Sequence, residues 1–130
     1  MDRIRVLIVD EHLAVRQALT ARLRSFPQID VVAAARSFDE GLERARSLRP
    51  DVILLELKGS SVLPDPVGDL CRTLRDTAVG VIVLTSYAVD DEREKALGAG
   101  ARRYLLKHID STHLLKEIET VASEVAGRRC

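Results

Sequence analysis

Four short apolar runs in this chain end on residues able to bind cations or phosphate oxygens. Arg5-Val6-Leu7-Ile8-Val9 leads into Asp10-Glu11, and Val52-Ile53-Leu54-Leu55 leads into Glu56. Val81-Ile82-Val83-Leu84 leads into Thr85, and Tyr104-Leu105-Leu106 leads into Lys107. Adjacent carboxylates suit a hard divalent cation such as Mg²⁺, which takes oxygen ligands in near-octahedral geometry. A hydroxyl and an ammonium suit the oxygens of a phosphoryl group. Together they are the parts of a phosphate-transfer pocket, provided one fold brings the four ends together.

The rest of the chain supplies such a fold. Strand-like and helix-like patterns alternate five times, as in a parallel sheet covered on both faces. The first strand covers about residues 3–9, and a helix over roughly 12–25 follows, with Val15, Leu19, Leu23 and Phe26 at helical spacing and Pro27 as its stop. Ile29 to Ala35 reads as the second strand. Ser37 and Glu40 form a capping box opening a helix to about Leu48. The third strand, Val52 to Leu55, is apolar throughout, as a central strand should be. Residues 57–66, with Gly59, Ser60, Ser61, Pro64 and Pro66, read as a loop. A short helix carrying Leu70, Cys71 and Leu74 precedes the fourth strand, Val79 to Leu84. The next helix, near 89–98, is weakly amphipathic and is expected to be the least firmly docked element. A fifth strand at about 103–106 precedes a helix capped by Asp110, with Leu114, Ile118, Val121 and Val125 as its inner stripe. In a doubly wound sheet, ligands bind outside the carboxyl ends of the strands. All four positions above lie there.

Composition narrows the class further. The 130 residues make one domain with a core of its own, 46% hydrophobic and 31% charged. Lys+Arg 20 balances Asp+Glu 20, so this domain has no electrostatic footprint for nucleic acid or anionic lipid. No apolar run reaches membrane length, and the first strand begins too early for a signal peptide. Cys71 and Cys130 have no metal-like or redox-like spacing. Cys71 reads as a small hydrophobe on an inner helix face and Cys130 as part of a frayed tail, which fits a reducing cytoplasm.

Four phrases carry a family resemblance: Val6-Leu7-Ile8-Val9-Asp10-Glu11-His12, Arg49-Pro50-Asp51-Val52-Ile53-Leu54-Leu55, Val83-Leu84-Thr85-Ser86-Tyr87, and Gly98-Ala99-Gly100-Ala101-Arg102-Arg103-Tyr104-Leu105-Leu106-Lys107. Each sits at or beside a strand end, in the right order. Over about residues 3–126 the chain resembles a CheY-like response-regulator receiver domain, most closely the LuxR/NarL branch. The resemblance implies a flavodoxin-like (βα)5 fold with strand order 2-1-3-4-5 across residues 1–126, with 127–130 as the start of a linker or tail. It implies metal binding by Asp10 and Glu11, with the carbonyl of Lys58 as a further ligand. It places Glu56 at the phosphoacceptor position, Thr85 as the hydroxyl, Lys107 as the cation and Tyr104 as the switch aromatic.

The departures matter as much. The acceptor in receivers is an aspartate that takes a phosphoryl group from a histidine kinase. Glu56 extends that carboxylate by one methylene, about 1.5 Å. Phosphoryl transfer is mostly positioning and charge stabilisation, and a displacement of about 1 Å can cost roughly a hundredfold in rate. Glu11 lengthens a position that is usually aspartate, and the loop from Leu57 to Pro66 is longer than the usual Met-Pro-Gly segment. Two lengthened acids facing each other would leave little room for hydrated Mg²⁺, so its binding is expected to be weak or absent.

Each residue also has a plainer role. Glu56 and Lys107 suit a purely structural pair; Asp10 and Glu11 suit a helix N-terminus; Thr85 suits a strand end; Tyr104 suits packing in a strand. His12, His108 and His113 read as surface residues. The joint order of the set favours a switching module over an enzyme: a pseudo-receiver controlling a helix-turn-helix DNA-binding domain in a longer protein, with an output that does not depend on ordinary phosphorylation by a histidine kinase. A carboxylate at 56 reaching toward Thr85 and Lys107 would then imitate the phosphorylated state. The alternatives are a working phosphoacceptor, a small-molecule sensor using the 57–66 loop (with aromatics at only 3%), and a flavodoxin-like enzyme, which would want a Gly-rich loop after the first strand. A homodimer is expected through the first and fifth helices, because Arg102 and Arg103 replace acids that the other large branch of the family tends to use.

Overall fold

Strongly apolar, β-branched runs separated by capped helices assemble into five parallel strands and five helices. In the computed structural model, residues 3–57 and 65–126 are described. The strands are β1 (Ile4–Val9), β2 (Ile29–Ala35), β3 (Val52–Leu55), β4 (Gly80–Thr85) and β5 (Arg103–Leu106). The helices are α1 (Leu13–Arg24), α2 (Phe38–Leu48), α3 (Pro66–Thr73), α4 (Asp90–Gly98) and α5 (Ser111–Val125). The sheet order is β2-β1-β3-β4-β5, as expected.

Side chains alternate across the pleat, so each strand feeds two cores. Leu7, Val9, Ile53, Leu55, Val81 and Val83 face one side, where Phe38, Ala45, Leu70, Cys71 and Ala96 from α2, α3 and α4 cover them. Val6, Ile8, Val52, Leu54, Ile82 and Leu84 face the other, under Leu19 and Leu23 of α1 and Leu114, Ile118 and Val121 of α5. Register fixes the site. Val9 pairs with Leu55 and Thr85 with Leu106, so the chain leaves β1, β3, β4 and β5 at the same end of the sheet.

Several boundaries differ from the sequence reading. Helix α1 begins at Leu13, because His12 keeps an extended backbone, and it ends at Arg24, before Pro27 is reached. Strand β4 runs from Gly80 to Thr85 instead of 79–84, so Thr85 is itself a ladder residue. Pro66 is not in the loop: it occupies the first turn of α3, where a missing N–H costs nothing, and Asp65 caps the helix by accepting from Gly68 N at 3.0 Å. In α2, Ser37 accepts from Glu40 N at 3.1 Å, whereas the Glu40 carboxylate reaches past the cap to Arg36 N at 3.0 Å. Gly100 has φ +122, and a Cβ there would sit 2.9 Å from Cys71 Sγ, so only glycine fits this turn into β5.

Helix α4 buries Ala96 alone among its residues, while α5 buries Leu114, Leu115, Ile118, Val121 and Val125. Apolar burial is what resists local opening. Amide hydrogen exchange should therefore be fastest in α4 among the helices and slowest in α5. Protection of α4 equal to that of α5 would contradict this ranking.

Candidate functional site: a buried charge cluster at the carboxyl end of the sheet

Asp10 leaves β1, Glu56 leaves β3 and Lys107 leaves β5, and the three side chains meet. Lys107 Nζ lies 2.6 Å from Glu56 Oε2 and 2.7 Å from Asp10 Oδ2. Both carboxylate side chains are only 2% exposed, and that of Lys107 is 15% exposed. The backbone holds them there. Glu56 N donates to Val9 O at 3.0 Å, Lys107 N donates to Thr85 O at 2.8 Å, and Asp10 N donates to Ala35 O at 3.0 Å. The other Asp10 oxygen accepts from His12 N at 2.8 Å and lies 3.2 Å from His12 Nδ1. Among the described residues, no buried side-chain nitrogen or oxygen lacks a hydrogen-bond partner.

Burial by itself would discharge the Lys107 ammonium. The bonds to Asp10 and then Glu56 outweigh that desolvation, and the pKa rises above the ordinary lysine value. Two acids and one base leave the cluster with a formal charge of −1.

The other expected members are arranged differently. Thr85 is 1% exposed, and its hydroxyl donates to Tyr87 O at 3.0 Å. Tyr104 is half-buried; its hydroxyl donates to Glu92 Oε1 at 2.7 Å and accepts from Val89 N at 3.2 Å, tying β5 to the start of α4. Desolvation, and then the bond to Glu92, raises its pKa. The Glu11 side chain is half exposed, with its carboxylate 3.9 Å from His12 Nε2. It lines a small crevice with Asp10, Arg36 and Glu56, so the picture of two long acids crowding one buried pocket holds for Glu56 only. His12 is exposed as read, yet it does contact acids, Asp10 and Glu11. Lys58 and most of the 57–66 loop lie outside the described residues.

Asp10 and Glu11 are the described residues that would hold a Mg²⁺ ion, and Asp10 is already hydrogen-bonded in this arrangement. Asp10 spends one oxygen on His12 and the other on Lys107, and among the described residues no three acids, histidines or cysteines form a metal cage.

Sequence reasoning missed Arg22. Its guanidinium reaches from α1 to the turn after β5, donating to Lys107 O at 3.0 Å, Ile109 O at 2.6 Å and Ser111 Oγ at 2.9 Å. Nor does the sequence show that Arg103 pairs with Glu117 at 3.1 Å and Glu124 at 2.7 Å on α5, so that this cation is neutralised within the chain. No local pattern marks either one, because their partners lie on distant elements.

This five-stranded order agrees with the comparisons. The model of the response regulator receiver domain matches residues 6–119. The chain belongs to the response regulator receiver family. Its relatives include the transcriptional regulatory protein LiaR of Bacillus subtilis, 37% identical over 134 residues and covering 96% of this chain and 62% of LiaR. The DNA-binding transcriptional activator DevR/DosR of Mycobacterium tuberculosis is 37% identical over 128 residues, covering 96% of this chain and 56% of that protein. The receiver thus spans about three-fifths of the length of these relatives. Among solved structures, a LuxR-family two-component response regulator from Aurantimonas sp. SI85-9A1 matches with TM-score 0.79 at 27% identity, covering 98% of this chain and 89% of that one. The receiver domain of NarL from M. tuberculosis shares the fold, with TM-score 0.84 at 22% identity over 95% of this chain and 98% of that one. The resemblance to the LuxR/NarL branch is upheld. Receiver domains characteristically bind Mg²⁺ at this end of the sheet.

Two predictions come from the cluster. Lys107→Met leaves two buried carboxylates without their cation and should cost about 3–5 kcal/mol of unfolding free energy. Glu56→Gln leaves the Asp10–Lys107 pair intact and removes a like charge, so its effect should stay within about 1–2 kcal/mol. No stability gain is expected from Glu56→Gln, because the Glu56–Lys107 contact is close and buried. Urea unfolding of the three proteins measures the ranking, and equal losses would contradict it. The second concerns pH. The Lys107 pKa is raised in the folded state, so its contribution is fully present below 10.5, the ordinary value, and is lost as pH rises through the folded pKa. Wild type should lose stability in that alkaline window more steeply than Lys107→Met. Parallel pH curves would rule out the linkage.

Proposed function

We propose that this receiver signals through the fixed carboxylate of Glu56 and not through ordinary aspartyl phosphorylation, and that it controls a helix-turn-helix DNA-binding domain within a longer regulator. One observation carries the reading: the carboxylate at the acceptor position already holds the lysine, at 2.6 Å in a buried site. In a working receiver that lysine must be available to a phosphoryl oxygen. Here a phosphoryl group would have to displace a charge-assisted bond inside the protein, where such bonds are strong.

Other features support the same reading. With both Asp10 oxygens engaged, a metal would have to compete with Lys107, so Mg²⁺ binding is weak in this proposal. Tyr104 is fastened to Glu92 and Val89, which keeps the start of α4 in one arrangement. The names of LiaR and DevR/DosR describe transcriptional regulation and, for DevR/DosR, DNA binding. This domain is formally neutral, so contact with DNA falls to another part of the protein. The homodimer in this reading uses α1 and α5, where α1 presents an apolar groove formed by Ala14, Val15, Ala18 and Leu19.

The test is incubation with acetyl phosphate and Mg²⁺ followed by intact mass, with Mg²⁺ titrated calorimetrically into the same samples. Wild type should show no phosphoryl adduct and little Mg²⁺ heat. Glu56→Asp should label slowly, because Thr85 and Lys107 are suited to bind a phosphoryl group. Glu56→Asp combined with Glu11→Asp should label faster. Wild type labelling as fast as the double variant would overturn the proposal and favour a working phosphoacceptor.

A further inference from the structure

The hydrogen bonds around the 107–111 turn are distributed unevenly, and one residue holds most of the side-chain contacts. Lys107 N is fixed by Thr85 O at 2.8 Å and Ile109 N by Leu106 O at 3.2 Å, while the carbonyls of Lys107 and Ile109 are held by Arg22. Its three donor nitrogens contact three acceptors on one turn: Lys107 O, Ile109 O and Ser111 Oγ, at 2.6 to 3.0 Å. Arg22 lies 85 residues before Lys107 and is itself half-buried on α1. Arginine suits this task because its donors form a rigid planar fork, whereas a lysine ammonium is a compact point charge. Arg22 and Lys107 also line the same groove along α1.

We propose that Arg22 is a positioning residue for the charge cluster, and that by gripping the 107–111 turn it keeps the Lys107 ammonium seated between Asp10 and Glu56. This rests on the reading that the Glu56–Lys107 pair is the working element of the site. The lysine side chain is long and flexible, so its seat depends on where its own backbone is held. The peptide unit after Lys107 has its carbonyl on Arg22, and the one before has its N–H on β4. Releasing the first lets the turn swing while the strand stays paired. Helix α1 thereby becomes a lever on the site: whatever moves Arg22 loosens Lys107 without touching either carboxylate.

Competitive acetylation of lysines with N-hydroxysuccinimide acetate, read by peptide mass spectrometry, tests this in the absence of phosphodonor and Mg²⁺. In wild type, Lys107 should label far more slowly than exposed Lys116. In Arg22→Ala, Lys107 labelling should rise by about tenfold, the scale of a lost hydrogen bond to a charged group, with Lys116 unchanged. Arg22→Lys should also raise it, because an ammonium cannot span three acceptors. A general loss of structure would speed all lysines together, which separates positioning from mere stability. Unchanged Lys107 labelling in folded Arg22→Ala, wild-type labelling in Arg22→Lys, or a parallel rise at every lysine would each overturn the proposal. If Arg22→Ala does not fold, Arg22→Lys decides alone. Phosphorylation of wild type would overturn the proposed function yet leave this labelling result standing, so the two failures are distinguishable.

Discussion

A lysine ammonium placed between two buried carboxylates is stable only as a complete set. Each charge taken from water costs several kcal/mol, and that cost is offset when good geometry gives every charge its partner. In this receiver the set is assembled from three strand ends, with Asp10 and Lys107 separated by 97 residues. The cluster therefore exists only when β1, β3 and β5 are in register. The register has its own source, in the two-sided apolar packing of the sheet. The sheet would hold without the charges, but the charges would not assemble without the sheet. That ordering lets the family vary its pocket chemistry on a constant scaffold.

The cluster is also joined to a weakly held element. Lys107 N binds Thr85 O; Thr85 continues through its hydroxyl to Tyr87; and Tyr104, three residues before Lys107 on β5, binds Glu92 and Val89 at the start of α4. Helix α4 buries little of itself, so these polar contacts are a larger share of what fixes it than they would be for α5. A small shift of the β5 end would be felt first there. Coupling of this kind needs an element with two accessible arrangements, and α4 is the one with least apolar burial to resist a second.

Much of this was legible in the sequence because it is encoded locally. Apolar runs of four to six residues gave the strands, Ser37 and Asp110 gave two helix starts, and the residues directly after the runs gave the site positions. Boundaries slipped where one residue satisfies two patterns: Pro66 can close a loop or open a helix, and Thr85 can end a strand or follow it. What the sequence did not disclose is where long side chains point. The partners of Arg22 and Arg103 are fixed only by helix placement against β5. Glu11 was expected inside the pocket with Glu56, but α1 begins so soon after β1 that its side chain lies half in solvent beside His12. Reach across elements is a tertiary property, and no spacing rule reports it.

The extra methylene of Glu56 acquires its meaning from this geometry. Aspartate at the same backbone position would hold its carboxylate about 1.5 Å further back, toward β3. Glutamate places an oxygen in hydrogen-bonding contact with the ammonium. Asp10 already provides a counter-ion, so the second carboxylate is not needed to satisfy Lys107 and leaves the cluster with an excess negative charge. Like charges buried together raise the energy of the folded state, which offsets part of what the Glu56–Lys107 contact contributes. In the proposed reading, that retained charge is what supplies a permanent electrostatic signal at residue 56.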